Sequence, residues 1–89
     1  MNNAFYRQID VWKKIDSSCV IRFRCFENLS TKLFCVQSSD YFHIPIDDKQ
    51  LSYSDKQFLE LLIEESPDTR SNSFSTVEEA ISCHLKEFE

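Results

Sequence analysis

The chain has 89 residues and not one glycine. At average usage about six would be present. Glycine is the residue that enters left-handed and strained backbone conformations without a steric penalty. Its absence removes Gly-rich phosphate loops, dinucleotide fingerprints, EF-hand loops and nucleophile elbows in one step. The chain is nonetheless equipped to fold. Apolar residues make up 42% and aromatics 13%, including eight Phe, far from the low-hydrophobicity signature of disorder. A chain of this length buries roughly 60–70% of its unfolded surface, which supports one modest core and a single domain spanning 1–89.

The hydrophobic period switches midway. In 5–15 (FYRQIDVWKKI) Phe5, Ile9, Val11 and Ile15 share one parity, and Tyr6, Gln8, Asp10, Trp12 and Lys14 share the other. Alternation of this kind indicates a half-buried strand. Asp16-Ser17-Ser18 is a turn. In 19–27 (CVIRFRCFE) Ile21, Phe23 and Cys25 face one way, Arg22 and Arg24 the other. After the loop Asn28–Thr31, the run Lys32–Gln37 is a third strand. Pairing Glu27 with Lys32 sets opposite charges across the strands and puts Phe34 and Val36 on the face of Phe23 and Cys25. Ser38-Ser39-Asp40 is expected to break the strand. Tyr41–Ile46, which contains Pro45, is expected to be a short edge strand or a crossing segment.

The second half reads as helix. Ser54-Asp55-Lys56-Gln57 has the form of a capping box, followed by Phe58, Leu59, Leu61, Leu62 and Ile63 as one broad apolar face, with an earlier start near Asp48 also compatible. Pro67 ends that helix, and 66–75 is a polar loop with Phe74 tucked inward. A second box at Ser75/Glu78 or Thr76/Glu79 opens a helix whose stripe is Val77, Ala80, Ile81, His84, Leu85 and Phe88. Strands followed by helices give an α+β fold: an antiparallel meander of three to four strands with two C-terminal amphipathic helices packed on one sheet face. The other face is then left to water or to a partner.

Net charge is -5 and unevenly spread. Residues 1–44 hold six Lys/Arg against four Asp/Glu, and residues 45–89 hold four against eleven. An acidic total repels phosphate backbones, which disfavours nucleic acid. The amino terminus lacks the apolar core of a secretory signal, and no stretch approaches the twenty apolar residues of a membrane span. The expected location is therefore cytoplasmic, with reduced thiols. Cys19, Cys25, Cys35 and Cys83 lack the close pairing of zinc ligands, and no metal or cofactor is expected.

No cysteine heads a helix, although His43 or His84 could meet one in space. The acidic pairs Asp47-Asp48, Glu64-Glu65 and Glu78-Glu79 fit solvated helix surfaces, and no catalytic residue is assigned. The stronger candidate is a partner-binding patch on the open sheet face: Tyr6, Trp12, Arg22, Arg24 and Gln37, with Lys14 beside them. Arg, Trp and Tyr are the types enriched at binding hot spots. The expectation is a non-enzymatic protein-interaction module, of adaptor, inhibitor, immunity or regulatory-subunit type, binding through that face or through an edge strand. A homodimer is an open option, since an unpaired edge invites a second copy. The alternatives are a nucleic-acid-associated regulator using the same face and, third, a small thiol or hydrolytic enzyme.

Overall fold

The structure is a computed structural model that describes residues 4–87. Three antiparallel strands, β1 (Tyr6–Asp16), β2 (Cys19–Asn28) and β3 (Leu33–His43), form one sheet in the order β1-β2-β3. Helix α1 (Asp48–Glu64), the single turn α2 (Pro67–Arg70) and helix α3 (Val77–Glu87) follow. The α+β class and the meander are as the alternation implies. The layers are not, because the two long helices take opposite faces of the sheet. On one face, Ile21, Phe23, Cys25 and Val36 pack with Ala80, Val77, Ile81 and Leu85 of α3. On the other, Phe26 and Cys35 pack with Phe58 and Leu62 of α1.

Strand β2 explains the two-sided burial. Its second parity carries Phe26 as well as the arginines. Arginine stems are long and apolar, so this face can take a helix once the guanidinium groups find carboxylates. Phe26 stacks on Phe58 with ring centroids 5.5 Å apart.

The register of β2 with β3 begins at Asn28–Leu33, not Glu27–Lys32. The loop keeps its length and slides by one residue on each strand, which leaves the faces unchanged. Asn28 is the reason. Its Oδ1 accepts from Ser30 N (2.9 Å) and Thr31 N (3.3 Å), and its backbone carbonyl accepts from Lys32 N (2.8 Å). Lys32, with φ 61°, takes the left-handed position that glycine would normally fill.

Ser38–Asp40 does not break the strand. Cys25 pairs with Val36 and Arg24 with Ser38, so Gln37 is an extra residue, a bulge. The bulge reverses the parity of everything after it. Ser39 then joins the face of α3, and Asp40 lands opposite Arg22 on the face of α1. The expected fourth strand is simply the continuation of β3 to His43, ending just before a cis Ile44-Pro45 bond.

Helix α1 starts at Asp47, whose Oδ1 accepts from Lys49 N (2.9 Å) and Gln50 N (3.4 Å). The expected box at Ser54 lies inside the helix, and the Ser54 hydroxyl donates to the Leu51 carbonyl instead (3.1 Å). Its apolar face is narrower than expected: Phe58 is buried, whereas Leu59 and Ile63 are 56% and 84% exposed. The start of α3 follows the Thr76/Glu79 option, with Glu79 N donating to Thr76 Oγ1 (3.1 Å). Phe88 lies outside the described residues. Phe74 turns inward and bridges to Phe34 of β3 through two backbone bonds of 2.7 and 2.8 Å.

Candidate functional site

Tyr6, Trp12, Arg22, Arg24 and Gln37 do share one sheet face, but α1 covers most of it. Arg24 is 4% exposed and Gln37 is buried. Gln37 Nε2 donates to the Phe58 carbonyl (3.4 Å). Tyr6 sits at the rim, edge-on to Phe26, and its hydroxyl donates to Asp68 Oδ2 (3.1 Å). Burial and the adjacent Asp68 carboxylate raise its pKa. Only Trp12, 55% exposed, stands open to solvent as expected.

The arginines are held by a four-charge cluster between β2, β3 and α1. The Arg24 guanidinium lies over the Phe58 ring, 4.5 Å from its centroid, hydrogen-bonds Asp55, and has Nε 3.8 Å from Asp40 Oδ2. Arg22 reaches Asp40 Oδ2 at 3.4 Å and Asp55 Oδ1 at 3.7 Å. Its guanidinium lies 4.9 Å from the Phe42 centroid and 5.8 Å from that of Trp12. Burial raises the pKa of Asp40, Arg24 opposes that rise, and Asp55 adds to it. Two cations facing two carboxylates present little charge to a phosphate. The sequence identified the arginines but not Asp40, Asp55, Phe42 or Phe58. The opposite charge directly across from Arg22 emerges only once the bulge at Gln37 is placed.

What remains accessible is β1. The helices pack mainly against β3, and β1 meets them at its start, where the Tyr6 hydroxyl reaches Asp68 of α2. The two sheet edges also differ. Along the outer side of β3, Phe74 pairs with Phe34, the Ser71 hydroxyl donates to the Val36 carbonyl (2.8 Å), and Gln50 Nε2 donates to the Tyr41 carbonyl (2.9 Å). Among the described residues, nothing pairs with the outer side of β1.

The pairing pattern shows which backbone groups face outward. Leu29 N donates to the Phe5 carbonyl (2.9 Å), so Phe5 and Leu29 form a hydrogen-bonded pair at the start of the ladder. Antiparallel pairs alternate between bonded and non-bonded. Residues 7, 9, 11 and 13 therefore bond to β2, while Gln8, Asp10, Trp12 and Lys14 turn their N–H and C=O groups away from it. A bulge between Lys14 and Asp16 ends the regular stretch.

The thiol and imidazole groups are dispersed. Cys19 Sγ lies 3.8 Å from His43 Nε2 near the β1–β2 turn. His84 Nε2 is 3.1 Å from the Ser39 hydroxyl, while neighbouring Cys83 faces Glu87 at 3.8 Å. Burial lowers the pKa of His84, and Glu87 works against the shift. His84, Cys83, Glu87, Asp68, Asn72 and Gln37 contribute to an open cavity of about 310 Å³ beside β3. Among the described residues no three His, Cys, Asp or Glu side chains are grouped as metal ligands, and no helix is long and apolar enough to cross a membrane. Compared with known protein families, characterised proteins and solved structures, the chain matches none.

Proposed function

We propose that the chain is a protein-binding module that captures its partner by strand addition at the outer edge of β1. The observation carrying this reading is the difference between the two edges: β3 is sealed by Phe74, Ser71 and Gln50, whereas β1 offers an unpaired ladder from Gln8 to Lys14. In this binding mode backbone hydrogen bonds supply affinity and side chains on alternate positions supply selectivity. Trp12, exposed and beside the Arg22 guanidinium, is the anchor on the α1 side of the edge. An adaptor, an inhibitor or a regulatory subunit would all use such an edge. Four unpaired cysteines suit a cytoplasmic setting.

The test is Asp10→Pro. Asp10 is exposed and its N–H points outward, so proline deletes one donor from the free edge and leaves the β1–β2 ladder intact. Cytosolic proteins retained by the wild type should be lost from this variant at unchanged melting temperature. Equal retention would remove β1 as the binding element.

A further inference from the structure

We infer that the partner of the β1 edge is a second copy of this chain, paired antiparallel about a two-fold axis through Trp12. The inference rests on the strand-addition reading and adds the occupant and the register. A two-fold axis normal to the sheet keeps each face on its own side. Residues of like parity must then stand opposite one another. The outward-facing groups belong to Gln8, Asp10, Trp12 and Lys14, all of one parity, so any such pairing can close hydrogen bonds. The charges select among the registers.

With Trp12 opposite Trp12 of the copy, Asp10 lies opposite Lys14 and Lys14 opposite Asp10. Val11 and Lys13 face each other on the α3 side. No like charges meet. Shifting the axis to residue 10 sets Asp10 against Asp10 and Arg7 against Lys13. Shifting it to residue 13 sets Lys13 against Lys13 and Asp10 against Asp16. An axis at Val11 avoids repulsion but leaves every charge without an opposite. Only the register centred on Trp12 gives two Asp–Lys pairs and a central aromatic pair, both of which favour cross-strand association.

The surroundings permit it. Asp10, Trp12, Lys13 and Lys14 are all exposed, and the helices pack mainly against β3. The bulge between Lys14 and Asp16 bounds the ladder. So short an interface belongs at the small end of the range for specific association, and the dimer is accordingly concentration-dependent.

The experiment uses charge reversal on the full chain. Wild type, Asp10→Lys and Lys14→Asp are each taken from about 5 μM to about 500 μM in sedimentation velocity at low salt. The wild type should dimerise. Each single variant faces two like-charge pairs in its own dimer and should bind itself roughly tenfold more weakly or worse. Mixed in equal amounts, the two variants regain both opposite-charge pairs and should form a heterodimer. The emission of Trp12, the only tryptophan, should change with association. Circular dichroism checks that each exposed substitution leaves the fold intact.

A wild type that stays monomeric throughout would overturn the inference, as would variants that dimerise like the wild type or a mixture that regains nothing. A monomeric wild type whose retained partners are still lost in Asp10→Pro would leave strand addition standing with a different occupant. Partners retained in Asp10→Pro would take both readings down.

Discussion

Arg24 shows how much of the site depends on partners distant in sequence. A guanidinium at 4% exposure is tolerable only because Asp55, Asp40 and the Phe58 ring receive it. The alternation in β2 made it plain that Arg22 and Arg24 share a face. It did not reveal that the face is covered, because the two carboxylates lie 16 and 31 positions beyond Arg24 and no local pattern joins them to it. The expected response to mutation follows. Arg24→Glu would set a third carboxylate beside Asp40 and Asp55 and should destabilise by about 4 kcal/mol, enough to unfold a domain of ordinary stability. Arg24→Met, which keeps the stem over Phe58, should stay within about 2 kcal/mol of the wild type in urea melts. A result in which both variants are equally mild would mean that Arg24 is not held as described. Burial pushes the Cys25 thiol up to about 12 and that of Cys35 up to about 11. At about pH 8 a thiol reagent should label the more accessible Cys83 and leave those two unmodified until the protein unfolds.

Among the elements, period decided type more securely than boundary or layer. Helix α3 follows its stripe because capping and periodicity agree. In α1 they disagree: Ser54 and Gln57 have the spacing of a start, but Asp47 already caps the helix seven residues earlier. The sequence in 58–63 carries more apolar residues than one face can bury, so periodicity alone could not tell that Phe58 enters the core while Leu59 and Ile63 do not. Phe58→Ala should therefore lower stability by about 3 kcal/mol, whereas Ile63→Ala should change it by less than about 0.5 kcal/mol. Strand β1 gives a prediction specific to its pairing. In the monomer, the amides of Ile9, Val11 and Lys13 should exchange slowly, and those of Asp10, Trp12 and Lys14 quickly, as amide-resolved hydrogen exchange would record. Uniform protection along the strand at high dilution would contradict the open edge.

At the level of the whole molecule the packing is lopsided. The described chain measures 44 × 25 × 19 Å, with helices on both faces of the sheet but gathered toward β3. The meander was legible because three alternating runs with short turns leave few other topologies. The three-layer arrangement was not, because Arg22 and Arg24 read as a solvated face until Asp55 of α1 and Asp40 meet them, and Asp40 reaches that face only through a bulge at Gln37 that no residue type announces. Global pH dependence has a named source on the α3 side. Burial lowers the pKa of His84 below its ordinary 6.5, so on acidification the unfolded chain takes up that proton first. Stability should fall as pH drops below about 6.5, and His84→Gln should flatten the fall in melting temperature. Asp40, with its raised pKa, acts in the opposite sense at lower pH, which the difference between wild type and His84→Gln cancels. The Phe34–Phe74 bridge has a further consequence. A protease nick in the bend at 71–73 would let the C-terminal fragment drift off, baring the apolar side of Phe23 and the outer margin of β3 together. The remnant would then expose two unpaired strand borders in place of one, and it should polymerise into fibrous aggregates under conditions where the intact chain forms none.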